Sequence, residues 1–195
     1  SQTIILEKIY QHLEKGLAAR SLEFVEEELP FVKTLNLLTI KPIIYLFNVD
    51  DLKNIPELGE LDGEIIAINV KMEEEITALP EEEQAEYISE LGLDQSGLDK
   101  LIATSYKLLG LDTFFTTGPD ETRAWTIKHG TKAPEAAGVI HTDFIKNFIR
   151  AEVINWEQFI TAGSEAKARE QGLIRTEGKD YIVRDGDVCN FLVNR

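Results

Sequence analysis

The run Pro42-Ile43-Ile44-Tyr45-Leu46-Phe47-Asn48-Val49-Asp50-Asp51 decides the fold class. Ile43 to Phe47 is continuously apolar and rich in β-formers, opens after a proline and closes on polar residues. That pattern predicts a buried strand of a parallel sheet. Glu64-Ile65-Ile66-Ala67-Ile68-Asn69 repeats it, with a polar residue again at the end. Open α/β sheets bind ligands beyond the carboxyl ends of their strands, so the polar groups closing these runs are candidates for chemistry. Asn48, with the Asp51 carboxylate shortly after it, suits the edge of a purine; an Asx turn that ends a strand accounts for the same residues.

Upstream, Leu6, Tyr10, Leu13 and Leu17 recur at helical spacing opposite Glu7, Lys8, Gln11 and Glu14, which predicts an amphipathic helix with the first set inward. No Met and no N-cap precede it, so Ser1 reads as the cut end of a longer helix. Glu26-Glu27-Glu28 predicts a second helix start, with Leu29, Val32 and Leu35 on one face and Pro30 in the first turn. Downstream of the second strand, a Glu-rich helix is expected over residues 73–91, with Pro80 suited to a first helical position. Ser96-Gly97-Leu98-Asp99 matches a capping box, and Leu98, Leu101, Ile102, Tyr106 and Leu109 form an apolar stripe that stops at Gly110.

From Leu111 the rhythm changes to short β-rich pieces. Thr113-Phe114-Phe115-Thr116 and Ala124-Trp125-Thr126-Ile127 flank a Gly118-Pro119-Asp120 turn. Short helices are expected over residues 133–137 and 142–148, ahead of Arg150-Ala151-Glu152-Val153-Ile154. Asn155 and Ser164 offer N-caps, and Tyr181-Ile182-Val183 and residues 188–193 flank the Arg184-Asp185-Gly186-Asp187 turn. The expected fold class is thus α/β plus α+β.

The 35 acidic and 20 basic side chains give a net charge of −15, which opposes nonspecific nucleic-acid binding. Residues 1–110 hold 9 basic and 22 acidic groups against 11 and 13 in residues 111–195, so the two regions differ electrostatically. The single cysteine, Cys189, permits no disulfide framework and sits in an apolar run, where a buried inert thiol is expected in a reducing, cytoplasmic setting. The longest apolar run is far short of the roughly 20 residues that span a bilayer, so no membrane span and no targeting segment is expected.

A phosphate-binding loop needs a Gly-rich turn followed by Lys and Ser or Thr, and none is present. Gly172 to Gly178-Lys179 has the wrong spacing and continues into Asp180. His12, His129 and His141 have no metal-ligand spacing. His141 and Asp143 could form an acid/base pair, but Thr142 or Asp143 as a helix cap is the simpler account. The runs Glu73-Glu74-Glu75 and Glu81-Glu82-Glu83 read as a solvated face favoured by helix dipoles.

Several motifs together resemble a known family. They are Leu37-Leu38-Thr39-Ile40-Lys41-Pro42, Leu91-Gly92-Leu93 before Gly97-Leu98, Thr122-Arg123-Ala124-Trp125-Thr126-Ile127, Ala136-Ala137-Gly138-Val139-Ile140-His141-Thr142-Asp143-Phe144, Phe148-Ile149-Arg150-Ala151-Glu152 and Glu177-Gly178-Lys179-Asp180-Tyr181-Ile182-Val183. Across nearly its whole length the chain resembles the C-terminal part of the YchF-type, Obg-related P-loop NTPases. The resemblance implies the end of a helical coiled-coil insertion over residues 1–38, the C-terminal part of a nucleotide-binding domain over 39–110, and a ubiquitin-like β-grasp TGS domain over 111–195. It implies ATP or GTP as ligand, with the phosphate loop and the Mg2+ ligands lying upstream of this chain, so that the chain is expected to be inactive alone. Asn48 matches the Asn of the family's Asn-x-x-Glu base motif, Val49 lies within it, and Asp51 stands where Glu is usual. A carboxylate at Asp51 suits guanine, whose N1 and N2 hydrogens it can accept, while the family's looser specificity keeps ATP first. Asn69-Val70-Lys71 falls where the family commonly has Ser-Ala-Lys, the loop that offers a backbone amide to the base. The resemblance also implies ribosome association and a stress-linked role. Lys128, Lys132, Lys146 and Arg150 are the candidate contacts for a ribosome, RNA or protein partner, and scattered solubilising charge is their simpler account. An incomplete sheet would leave an edge open to crystal partners or swapped dimers.

Overall fold

The computed structural model describes residues 2–52 and 61–194; Ser1, on which the expectation of a cut helix rests, lies outside them. The chain divides into two units, Ser1–Ser105 and Tyr106–Arg195. In the first, helix α1 (Gln2–Glu14) buries Ile5 and Ile9, while Leu6, Tyr10 and Leu17 are exposed. This corrects the expected face. The two candidate stripes are neighbours around the helix, and the face is chosen by what it meets: Ile5 and Ile9 join Val32 of α2 (Leu29–Thr34) in one cluster, with Leu13, Phe24 and Phe31 packed on it. Helix α2 starts after Glu26-Glu27-Glu28, with Pro30 in its first turn, where a missing N–H costs no ladder bond. His12 Nε2 lies 2.7 Å from the Ser21 hydroxyl, which donates to the Ala18 carbonyl, so the imidazole is the donor of that pair. Arg20 reaches the Thr39 carbonyl at 3.3 Å and the Asp62 carboxylate at 2.8 Å.

Strands β1 (Ile44–Asn48) and β2 (Glu64–Ile68) pair in parallel, from Ile44 opposite Glu64 to Asn48 opposite Ile68. Ile66 and Ile68 are buried, but Leu46 and Ile65 stay half exposed, so β1 is not the fully buried strand its composition predicts. With two strands in the described sheet, each has one neighbour and less cover than an interior strand of a layered α/β fold. The predicted single helix over 73–91 is two helices, α3 (Val70–Ala78) and α4 (Glu81–Glu90). Pro80 separates them as the N-cap of α4 rather than as its first residue. Its ring holds Leu79 extended, at φ −77° and ψ 151°, and it has no N–H with which to continue α3. Helix α5 (Gly97–Leu108) begins at Ser96, whose hydroxyl accepts the Asp99 amide at 3.0 Å and donates to the Asp99 carboxylate at 2.7 Å. Leu98, Leu101, Ile102 and Tyr106 of the predicted stripe lie on α5 and Leu109 just past its end, but none of the five is buried, Leu98 and Ile102 being 47% and 49% exposed.

The second unit is a five-stranded mixed sheet with strand order β4-β3-β7-β5-β6. Strand β3 (Leu111–Thr117) returns through the Gly118 turn as β4 (Thr122–Lys128). Helices α6 (Ala133–Ile140) and α7 (Asp143–Asn147) lead to β5 (Phe148–Asn155), then α8 (Trp156–Ala162) and α9 (Glu165–Glu170). Strands β6 (Arg175–Glu177) and β7 (Asp187–Val193) finish the sheet, β7 lying parallel to β3 and antiparallel to β5. One core gathers Phe114, Ile127, Ala136, Ala137, Val153 and Cys189; another joins Ile154 to Ala162 and Ala168. Asn155 and Ser164 cap α8 and α9 as expected, through the Glu157 and Lys167 amides. Tyr181-Ile182-Val183 is not the hairpin partner of β7. Its backbone bonds residues 131–133 instead, and the short polar strand β6 supplies the sheet edge.

Candidate functional site

The residues predicted to read a base converge at the carboxyl ends of β1 and β2. Asn48 is the last residue of β1, and its Oδ1 accepts the Val70 amide, the first of α3, at 3.2 Å. The Val49 amide donates to the Ile68 carbonyl at 2.8 Å, continuing the parallel ladder one residue past the strand. Asn69 caps α3, its Oδ1 accepting the Met72 amide at 3.0 Å, while its Nδ2 donates to the Asp50 carbonyl at 2.9 Å. Two carboxamides thus lace the loop after β1 to the start of α3. Asn48, Asp51 and Val70 are exposed, Val49 and Asn69 partly buried, so the site is an open edge. Neither the open groove of about 400 Å³ along α1 nor the cavity of about 350 Å³ lined by Ile65, Ala67 and Gly97 includes any of the five.

Glu73 has a role the sequence reading missed. Its carboxylate accepts the Gly97 amide at 2.7 Å and the Leu98 amide at 3.1 Å, capping α5 from α3 instead of facing solvent. The four candidate partner contacts stand on β4 (Lys128), the N-cap of α6 (Lys132), α7 (Lys146) and β5 (Arg150). Two are already engaged: Lys128 donates to the Leu109 carbonyl at 3.3 Å, and Lys132 to Asp180 at 2.8 Å. The bond to Asp180, then its charge, raises the Lys132 pKa, and the same pairing lowers that of Asp180. His141 Nδ1 accepts the Asp143 amide at 3.3 Å, and its contact with the Asp143 carboxylate is longer, at 3.6 Å. His129 lies 2.9 Å from Asp112. Cys189 is buried, which pushes its thiol pKa up and leaves it a poor nucleophile. Among the described residues no group of three His, Cys, Asp or Glu could hold a metal, and no helix is long and apolar enough to cross a membrane.

A parallel strand pair whose Asn-ended edge is laced to the following helix, with a separate mixed five-stranded sheet later in the chain, defines a mixed α/β protein with a polar strand-end site. Residues 111–194 match the family YchF-GTPase_C, described as "Protein of unknown function (DUF933)". The chain is 46% identical over 202 residues to the "Ribosome-binding ATPase YchF" of Bacillus subtilis, covering 97% of this chain and 55% of that protein. It is 44% identical over 203 residues to the protein of that name from Escherichia coli O157:H7, covering 100% of this chain and 56% of the relative. The solved structure of the Schizosaccharomyces pombe YchF GTPase superposes with a TM-score of 0.81 at 35% identity, over 98% of this chain and 54% of that one. Residues 111–194 thus form a YchF-GTPase_C domain, and over nearly its whole length the chain is homologous to the C-terminal part of the YchF proteins. It spans about half the length of the curated relatives it matches.

Proposed function

We propose that this chain contributes the base-recognition edge and a partner-docking module to a cytoplasmic, ribosome-associated, stress-linked ATP- or GTP-binding protein. The observation that carries this reading is the Asn48 bond to the Val70 amide at the paired strand ends. With Oδ1 engaged, the carboxamide offers its NH2 group to an acceptor such as purine N7, which adenine and guanine share. Discrimination then falls to Asp51, a carboxylate that accepts the adenine amino group or, better, the two guanine hydrogens. ATP is the first expectation, from the names of the bacterial relatives. Residues 39–110 are read as the C-terminal part of a P-loop nucleotide domain, and 1–38 as the end of a helical insertion. The phosphates and Mg2+ would be held by residues outside this chain. Purified residues 1–195 are accordingly expected to show no ATP hydrolysis of their own.

Calorimetric titration with MgATP and MgGTP tests the reading. Saturable binding is expected, weakened about 5- to 100-fold by Asn48→Ala, the scale of losing a hydrogen bond and leaving its partner unpaired. Asp51→Ala should reduce the difference between the two nucleotides. Absence of binding by the unsubstituted chain would remove base recognition from its functions.

A second reading makes residues 111–195 a TGS-type interaction module for ribosome, RNA or protein. The strand order, with β7 central and parallel to β3, is the one a ubiquitin-like β-grasp would have and supports this reading. So does charge: residues 106–195 carry 12 basic and 13 acidic groups, against 8 and 22 in residues 1–105. Ribosome co-sedimentation is expected to weaken when Lys128, Lys132, Lys146 and Arg150 become Glu. Unchanged sedimentation would leave the four as solubilising charge.

A further inference from the structure

Asn69 makes two bonds with the two ends of one carboxamide, and they serve different elements. The Oδ1 acceptor caps α3 through the Met72 amide at 3.0 Å, and the Nδ2 donor holds the Asp50 carbonyl oxygen at 2.9 Å. The Asp50 carbonyl and the Asp51 amide nitrogen belong to one rigid peptide plane. Holding that oxygen restrains the rotation of the plane, and with it the direction in which the Asp51 side chain leaves the backbone. The planar amide of Asn69 cannot move one bond without moving the other, and the helix start and the loop after β1 are therefore held at one separation. On the other side of the same gap, Asn48 accepts the Val70 amide, so the loop is tied to α3 from both directions.

We propose that Asn69 is the positioning residue of the base-recognition edge: its Nδ2 latch on the Asp50 carbonyl sets the orientation of Asp51 and thereby the choice between adenine and guanine nucleotides. This rests on the base-recognition reading above and deepens it. Asn69 need not touch the base; it acts through the Asp50–Asp51 peptide.

Capping and latching separate by substitution. Ser and Asp are as good at an N-cap as Asn, but neither offers the Nδ2 donor, and Asp would set a carboxylate against the carbonyl oxygen. Asn69→Ser and Asn69→Asp are therefore expected to keep the Met72 amide protected and to lower the melting temperature less than Asn69→Ala, which exposes that amide as well. Amide hydrogen exchange of the full 195-residue chain, without nucleotide, is the first readout. In Asn69→Ser the Val49 and Val70 amides should exchange about three- to tenfold faster, the scale of one lost hydrogen bond, with Met72 unchanged. Unchanged Val49 and Val70 exchange would overturn the latch. The second readout is the ratio of MgATP to MgGTP affinity by calorimetry, which a merely stabilising residue would not move. A ratio shifted by Asn69→Ser and further by Asn69→Asp is expected, and an unmoved ratio would overturn the selectivity role. If the unsubstituted chain binds neither nucleotide, base recognition and the selectivity role fall together, and the exchange result still decides whether Asn69 holds the loop.

Discussion

Glu73 closes both carboxylate oxygens on the first two amides of α5, satisfying donors that every helix start leaves open. Glu73→Ala is expected to cost about 1–2 kcal/mol, the range for losing a side-chain cap, read as a lower urea midpoint at unchanged slope. Gly97 completes the clasp by being small: a Cβ there would come 2.7 Å from Glu73 Oε1 and 2.7 Å from Ile68 Cγ2. Gly97→Ala should therefore be destabilising although alanine is the better helix former, and a raised midpoint would show that α5 can shift away from α3. Tyr181 makes a comparable point with a titratable group. Its hydroxyl donates to the buried Asp187 carboxylate at 2.7 Å, and burial, followed by that bond, pushes its pKa up to about 12 from an ordinary 10.0. A phenol whose folded pKa exceeds its unfolded one contributes stability that is complete below pH 10 and is lost as pH rises through about 12. Tyr10 and Tyr87 are shifted in the same direction, so the test is a comparison. Stability measured from pH 10 to 12 should fall more steeply in the unsubstituted chain than in Tyr181→Phe.

The entry to β7 shows how an element can depend on a position without a side chain. Gly186 has φ 81°, its N–H donates to the Thr113 carbonyl, and its own carbonyl accepts the Trp156 amide, so one residue joins β3, β7 and α8. A Cβ there would lie 2.7 Å from Trp156 Cδ1. Gly186→Ala combines left-handed strain with that clash and is expected to cost about 1–3 kcal/mol, seen as a lower melting temperature. The sequence announces this turn through Arg184-Asp185-Gly186-Asp187 but does not say which strand precedes it. Tyr181-Ile182-Val183 is the better β-former and the partner of β7 that the sequence predicts, yet β6 is Arg175-Thr176-Glu177. A three-residue edge strand is held by its pairing with β5 and needs no apolar alternation of its own, so its sequence carries no signal. The parallel pair β1 and β2 was legible because continuous Ile-rich runs have few other uses. The inward face of α1 was not, since Ile5-Ile9 and Leu6-Tyr10 have the same spacing and only the cluster around Val32 separates them. In the candidate site, Asn48 and the loop at Asn69 were readable as polar residues at strand ends. The cap from Glu73 was not, because its partners lie far along the chain, at Gly97 and Leu98.

Across the whole chain, charge and apolar exposure pull in opposite directions. Residues 1–105 carry 22 acidic and 8 basic groups, and the same unit leaves Leu46, Ile65, Leu98 and Ile102 between 41% and 49% exposed. Apolar side chains on a strand pair and on one face of a helix favour association with another surface, and a strand pair invites edge pairing as well. Like charge on every copy opposes it, with a reach of about 10 Å at 0.1 M salt that shrinks as salt is added. Self-association is therefore expected to be weak at low ionic strength and to strengthen with sodium chloride, the reverse of an association held by ion pairs. Sedimentation velocity across a salt series measures this directly. Leu98→Glu with Ile102→Lys should abolish the salt-driven species if the α5 stripe is its contact, because it removes apolar area without altering net charge. Leu46→Glu with Ile65→Lys does the same for the strand pair. If only the second double variant responds, association runs through the parallel sheet, and if neither does, neither the α5 stripe nor the strand pair is what brings two copies together.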